Sequence, residues 1–200
     1  MEDAHPPAPL LLVICGLPAT GKTTLGRRLA ADLGLPFFSK DDLKETLFDA
    51  LGAADRAWSR RLGVASFALL RHVTETLLAA RQSLVVEANF LATYDAPFYQ
   101  AVTARHGARV AQIWLTAEPA TIVRRFERRA ASDERHPGHV ELAHLDELRP
   151  ALLRTDDAPL PLAGALLTID TTDFASFDYD ALRHALCLAC GGADGQGETS

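Results

Sequence analysis

Residues 10–24 read LLLVICGLPATGKTT, an apolar run followed by a glycine-rich turn that ends in Gly-Lys-Thr. The first six residues are typical of a buried parallel strand. The next eight match the pattern GxxxxGK[ST] at every specified position. After them, Leu25, Leu29 and Leu33 recur at helical spacing until Gly34. A strand, a glycine loop and a helix in this order predict a phosphate-binding loop.

The residue types in this loop provide the chemistry that a bound triphosphate requires. Glycine at positions 16 and 21 lets backbone N–H groups turn toward phosphate oxygens, and the start of the helix adds the positive end of its dipole. Lys22 is expected to reach the β- and γ-phosphates, and the Thr23 hydroxyl is expected to ligate Mg²⁺. We therefore predict that ATP and Mg²⁺ bind to nine consecutive residues: Gly16, Leu17, Pro18, Ala19, Thr20, Gly21, Lys22, Thr23 and Thr24.

Apolar runs alternate with amphipathic segments along the rest of the chain. Further strands are expected within residues 36–39, 83–90, 109–115 and 166–170. Helices are expected at about 22–33, 41–51, 55–81, 96–106, 119–131, 141–153 and 179–190. This alternation predicts a single three-layer α/β/α domain over residues 10–190, with a mostly parallel five-stranded sheet. Flexible tails are expected at residues 1–9 and 191–200.

Composition excludes several classes of protein. The chain has 200 residues, of which 20 are basic and 26 acidic, and 48% are hydrophobic, as in an ordinary soluble domain. It has no run of about 18 uncharged apolar residues, so no membrane partner is expected. Acidic residues before the first apolar run make a poor signal peptide, which favours a cytoplasmic location. The net charge of −6 disfavours nucleic acid as a partner, and a monomer or homodimer is expected.

A carboxylate follows the second predicted strand, in the sequence FFSKDDLK at residues 37–44. In open α/β sheets, ligands bind at the carboxyl ends of the strands. Asp41 is therefore placed to face the γ-phosphate and to accept a proton from an attacking hydroxyl group. Two alternatives remain open: Asp42 is the base instead, or Asp41 is only a helix N-cap.

Together, GLPATGKTT at 16–24 and FFSKDDLKETLF at 37–48 resemble the kinase domain of polynucleotide 5′-kinases and their relatives. Those relatives include chloramphenicol phosphotransferases, zeta toxins and gluconate kinases. The resemblance covers about residues 10–188 and implies a P-loop fold similar to nucleoside monophosphate kinases. It also implies that Asp41 is the general base, that Lys44 contacts the substrate, and that the loop after residues 167–170 passes near the adenine ring.

Glu87 stands in the third predicted strand, where these kinases commonly carry an aspartate. Its carboxylate could hold Mg²⁺ through water or contact the substrate. The competing interpretation is a buried polar residue tied to the phosphate-binding loop.

Four arginines at positions 124, 125, 128 and 129 lie on the helix after the fourth predicted strand. Adenylate-kinase-like enzymes place a helical lid there, expected here at about 124–145, and its arginines neutralise the transferring phosphoryl group. Arg125 and Arg129 share one helix face, so we predict that these two are catalytic, with Arg128 in reserve. A solvated basic face is the alternative.

Two weaker patterns could bind metal. Cys187 and Cys190 form a single CxxC pair, and His136 and His139 lie in a polar segment. Neither pattern has further ligands at a suitable spacing, so both are more simply explained without a metal.

The sequence therefore predicts an ATP-dependent kinase that acts on a hydroxyl group of a small molecule. Lys22, Asp41, Arg125 and Arg129 are the predicted catalytic residues, and Lys44 and Glu87 are the predicted substrate-binding residues. The alternatives are a nucleic-acid or nucleotide 5′-hydroxyl kinase and a switch ATPase that is not a kinase. Against the switch ATPase, the chain has no NKxD-like motif and no strand that ends in Asp-Glu.

Overall fold

A computed structural model of the chain describes residues 7–131, 136 and 158–189. Strands and helices alternate along this part of the chain, as the hydrophobic pattern predicts. In chain order they are β1 (Leu10–Gly16), α1 (Lys22–Leu33), β2 (Phe37–Ser39), α2 (Lys40–Leu51), α3 (Arg56–Ala79), β3 (Leu84–Glu87), α4 (Ala92–His106), β4 (Arg109–Thr116), α5 (Pro119–Ala130), β5 (Ala165–Asp170) and α6 (Tyr179–Ala189). The predicted helix at 141–153, most of the predicted lid, residues 1–6 of the first tail and the whole of the second tail lie outside the described residues.

The five strands form one sheet in the order β2-β3-β1-β4-β5, and every neighbouring pair is parallel. Side chains alternate between the two faces of the central strand β1. Leu11 and Val13 pack in one cluster with α3 and α4, whereas Leu12 and Ile14 pack in the other with α1 and α6. Helices thus cover both faces, and the predicted three-layer α/β fold is confirmed.

Gly16 places the phosphate-binding loop at the middle of the carboxyl edge of the sheet. It is the last residue of the central strand, and its φ of 135° is a conformation that side chains other than hydrogen rarely adopt. A Cβ at this position would lie 2.2 Å from the carbonyl oxygen of Leu115 on β4. Only glycine allows the chain to leave the sheet here.

The start of α2 decides whether Asp41 is the helix N-cap, which is one of the two alternatives that the sequence left open. Ser39 is the N-cap, and its Oγ accepts a hydrogen bond from the Asp41 backbone N–H at 3.2 Å. The interpretation of Asp41 as the cap is therefore wrong. The serine performs this role, so the Asp41 carboxylate is not needed to cap the helix.

Two predicted boundaries moved for identifiable reasons. Helix α4 begins at Ala92 rather than at residue 96, because the buried Asp95 carboxylate accepts the Leu91 N–H at 2.8 Å and closes an extra turn. Strand β3 ends at Glu87 rather than at Phe90, because its neighbour β2 ends at Ser39, directly opposite.

Helix α3 is long and apolar enough to span a membrane by length and composition alone. One stripe of it, with Leu62, Leu70 and Leu78, is buried inside the protein. A core helix of a soluble domain has the same features, so this helix is weak evidence for a membrane.

Candidate active site

The carboxyl ends of β1, β2 and β3 meet beside a cavity of about 860 Å³. The residues around it come from the phosphate-binding loop, from α1 and α2, from the end of β3, from α5 and from the segment after β5. They are Pro18, Ala19, Gly21, Lys22, Thr23, Thr24, Arg27, Lys40, Asp41, Asp42, Glu45, Glu87, Ala88, Asn89, Arg125, Arg128, Arg129 and Phe174. The fold therefore brings most of the predicted site residues to one place.

The ammonium group of Lys22 lies inside the curl of the phosphate-binding loop. Its Nζ donates to the carbonyl oxygen of Leu17 at 2.7 Å, and the Thr20 hydroxyl donates to the same oxygen at 2.9 Å. Burial lowers the pKa of Lys22, while the negative charges of Glu87 and Asp41 raise it. A cation with this much of its hydration removed is well placed to bind phosphate oxygens.

Glu87 links the loop to the neighbouring strand. The Thr23 hydroxyl donates to its Oε2 at 3.0 Å, and the Ser39 side chain is a further hydrogen-bond partner. Burial raises the pKa of Glu87, and the Lys22 charge opposes this effect. A hydroxyl and a carboxylate side by side are the hard oxygen ligands that Mg²⁺ prefers.

The two aspartates at the start of α2 have different partners. Asp41 Oδ1 lies 2.5 Å from Lys40 Nζ, and the lysine itself lines the cavity. Asp42 instead receives two hydrogen bonds from Arg27, at 2.8 and 2.9 Å, on an exposed part of the wall. The charge of Asp41 acts on Lys22, which is expected to bind the γ-phosphate, and this favours Asp41 over Asp42 as the base.

The arginines of α5 divide differently from their helical spacing, which pairs Arg128 with Arg124. Arg125, Arg128 and Arg129 line the cavity, whereas Arg124 is not among the described lining residues and donates to Thr121 at 3.1 Å. The charge of Arg129 acts on Lys22. The Nη2 of Arg125 donates to backbone carbonyl groups in the segment after β5.

Lys44 is not among the described residues that line the cavity. Its Nζ donates to Ser59 Oγ on α3 at 2.8 Å and lies 5.3 Å from the centre of the Phe48 ring. A role for Lys44 in substrate binding thus remains a prediction from the resemblance.

The weaker metal patterns gain no support from the part of the chain that the structure describes. His136 Nε2 lies 3.0 Å from Asp49 Oδ1, and its ring stacks on Phe48. His139 and Cys190 lie outside the described residues, and Cys187 is exposed. Among the described residues, no group of three or more His, Cys, Asp or Glu side chains is arranged to hold a metal ion.

Sequence reasoning did not assign six of the lining residues: Arg27, Lys40, Glu45, Ala88, Asn89 and Phe174. One signal for Lys40 was available. The chain has only three lysines among its 20 basic residues, at positions 22, 40 and 44, and all fall within 23 residues. The scarcity of lysine elsewhere indicates that an ammonium group is needed in this region.

Comparison with known proteins agrees with this geometry. Residues 11–153 match a family described as an AAA domain. The crystal structure of a proposed kinase from Chloroflexus aurantiacus is similar, with a TM-score of 0.85 and 39% identity over 92% of this chain and 99% of that one. A shikimate kinase of Chlamydia pneumoniae is 27% identical over 84% of this chain and 90% of its own length. A sugar kinase from a Janibacter species, at 15% identity, a TM-score of 0.53 and coverage of 92% and 95%, shares the fold alone.

Proposed function

The chain belongs to the family described as an AAA domain, as a P-loop protein whose relatives are kinases, and from this premise we propose that it is an ATP-dependent kinase. Its acceptor is a hydroxyl group of a small molecule. The observation that carries this proposal is the position of Lys22 and Asp41. Both line one cavity, and their opposite charges interact across it.

In the proposed reaction, the acceptor oxygen forms a bond to the γ-phosphorus of ATP while the bond from that phosphorus to the β–γ bridging oxygen breaks. ADP leaves with the electron pair of the broken bond. Asp41 takes the proton of the acceptor hydroxyl, and Lys22 and Arg129 stabilise the negative charge on the moving phosphoryl group. The acceptor lies against α2, beside Asp41 and Glu45.

Thr23 and Glu87 fit a magnesium ion, because they present a hydroxyl oxygen and a carboxylate oxygen 3.0 Å apart beside the phosphate-binding loop. Bound there, Mg²⁺ would neutralise charge on the β- and γ-phosphates. We therefore assign Glu87 to the metal rather than to the acceptor. Its contact with Thr23 supports this choice over the alternative of substrate binding.

Glu87→Gln tests this assignment. The amide keeps the size of the side chain and removes the negative charge, so the gain in ADP affinity that Mg²⁺ provides should shrink by about 10-fold or more. Calorimetric titrations of ADP with and without Mg²⁺ measure that gain. Glu45→Gln removes another carboxylate of the same cavity and should leave the magnesium-dependent gain in ADP affinity unchanged. If Mg²⁺ raises ADP affinity as much in Glu87→Gln as in the wild type, the metal assignment is wrong, and Glu87 either contacts the substrate or has a structural role.

The proposed function itself is tested by ADP release from MgATP, with and without a panel of hydroxylated compounds. The panel contains sugars, polyols, hydroxy acids, nucleosides and an oligonucleotide with a free 5′-hydroxyl group. We expect slow release alone and strong stimulation by one class of small molecule. Stimulation by the oligonucleotide or the nucleosides would favour the 5′-hydroxyl kinase. Fast release that no acceptor stimulates would favour a switch ATPase.

A further inference from the structure

The strand order gives the cavity two different ends. Asp41 follows β2, on one side of the central phosphate-binding loop, whereas Phe174 follows β5, at the opposite edge of the sheet. If the γ-phosphate faces Asp41, as the proposed function requires, the nucleoside must extend toward β4 and β5. The inference below rests on that function and concerns this second end.

Phe174 is the one aromatic residue among the described residues that line the cavity. Its ring lies against the end of the phosphate-binding loop, where a Cβ on Gly21 would come within 2.7 Å of the ring carbon Cε2. The Phe177 ring is 6.2 Å away and supports it. Every nucleobase has a flat π-face, so an aromatic ring that is only partly buried beside the phosphates suits base stacking.

The segment that carries Phe174 is anchored at its first residue. Thr171 is fully buried, and its N–H donates to the carbonyl oxygen of Thr116 at 2.8 Å. Its hydroxyl lies 2.9 Å from the carbonyl oxygen of Thr20 in the phosphate-binding loop. The same hydroxyl lies 2.8 Å from the carbonyl oxygen of Thr116, and its single hydrogen is within reach of both carbonyl groups. This residue is therefore tied both to β4 and to the phosphate-binding loop.

The Thr172 hydroxyl accepts a hydrogen bond from the Glu118 N–H at 2.8 Å, and the Thr172 N–H donates to Asp170 at 2.7 Å. Arg125 adds side-chain contacts to the same backbone. The Nη2 of this arginine carries two hydrogens, and it donates to the carbonyl oxygens of Thr171 and Thr172 at 2.7 and 3.2 Å. The guanidinium is thus engaged with backbone that leads directly to the Phe174 ring. Arg129 differs, since its charge acts on Lys22 in the phosphate-binding loop.

We propose that Arg125 is a positioning residue for the nucleoside: it holds residues 171–174 so that the Phe174 ring stacks on the nucleobase. On this proposal, Arg125 does not contact the transferring phosphoryl group, and Arg129 alone of the predicted pair has that role. Loss of Arg125 should weaken recognition of the base while leaving recognition of the phosphates intact.

Calorimetric binding of two probes separates these effects: ADP with Mg²⁺, and inorganic triphosphate with Mg²⁺. In Arg125→Ala and Phe174→Ala we expect the dissociation constant of ADP to rise about 10-fold, the usual worth of one stacked ring. That of triphosphate should stay within about twofold, because it has no base. Arg125→Lys keeps a donor and should restore part of the ADP affinity. Arg124→Ala removes a neighbouring arginine outside the cavity and should change neither constant.

Equal weakening of both probes in Arg125→Ala would overturn the proposal and assign Arg125 to the phosphates. Unchanged ADP binding in Arg125→Ala, or in Phe174→Ala, would overturn it as well. Thermal unfolding of each variant identifies loss of folding, and if Arg125→Ala does not fold, Arg125→Lys and Phe174→Ala give the same comparison. A wild-type protein that binds neither probe would contradict the proposed function and this inference together.

Discussion

Replacing Asp41 with asparagine should lower the rate of phosphoryl transfer by about 10²–10⁴-fold, which is the range for losing a positioned general base. The amide keeps the shape of the side chain but cannot take the hydroxyl proton. Because phosphoryl transfer has a loose transition state, in which the proton moves late, the lower end of this range is expected. MgATP affinity should stay within a few-fold of wild type, because Asp41 is expected to face the acceptor and the substitution leaves residues 16–24 unchanged.

The N-cap of α2 does not involve the Asp41 side chain, so its loss does not complicate this experiment. Ser39 caps α2, so Asp41→Asn leaves the cap intact. The change does remove the charge opposite Lys40, and thermal unfolding should show a small loss of stability. Asp42→Asn is the matched control, because it breaks only an exposed pair with Arg27, which is worth at most about 1 kcal/mol. Normal turnover in Asp41→Asn with a large loss in Asp42→Asn would move the base to the next residue.

Replacing Lys22 with alanine should lower turnover by several orders of magnitude. The buried ammonium group is the cation inside the curl of the loop, and alanine leaves nothing there to neutralise the moving phosphoryl group. Steady-state turnover with saturating MgATP and an acceptor measures the effect. Normal turnover in this variant would contradict the assignment of residues 16–24 as the triphosphate site.

The variant Lys22→Arg separates the effect of the positive charge at this position from the effect of the side chain's shape. Arginine keeps the charge but brings a planar, larger head group, whereas the Lys22 side chain is buried with its ammonium group on the Leu17 carbonyl oxygen. We expect no substantial rescue, with folding intact by circular dichroism. Full rescue would mean that charge alone matters at this position, and not the shape of the loop.

Features encoded in short stretches could be predicted from the sequence. The loop at 16–24 is a local motif whose glycines and lysine are required by its own backbone, and β1 and α1 lie on either side of it as predicted. The position of Asp41 at the cavity was predicted from the rule that ligands bind at the carboxyl ends of parallel strands. The helical spacing of Arg125 and Arg129 correctly placed both at the cavity.

Features that depend on contacts between distant segments could not be predicted. The partners of Arg125 lie 46 and 47 residues away in the sequence, beyond β5, so spacing on α5 indicated its face but not its bonds. Phe174 lines the cavity because the segment after β5 lies against the phosphate-binding loop, which is about 150 residues earlier in the sequence. The alternative of Asp41 as the cap of α2 stayed open because serine and aspartate are both good N-caps, and the sequence alone does not choose between them.

The most direct test of the kinase proposal follows the γ-phosphate itself. ATP labelled in that group is incubated with Mg²⁺, the protein and the acceptor that stimulates ADP release most, and the products are separated. We expect the label to appear as a phosphate ester of the acceptor, one ester for each ADP formed, and to appear there far more slowly with Asp41→Asn. Label that appears only as inorganic phosphate, at the same rate with and without acceptor, would contradict the proposal.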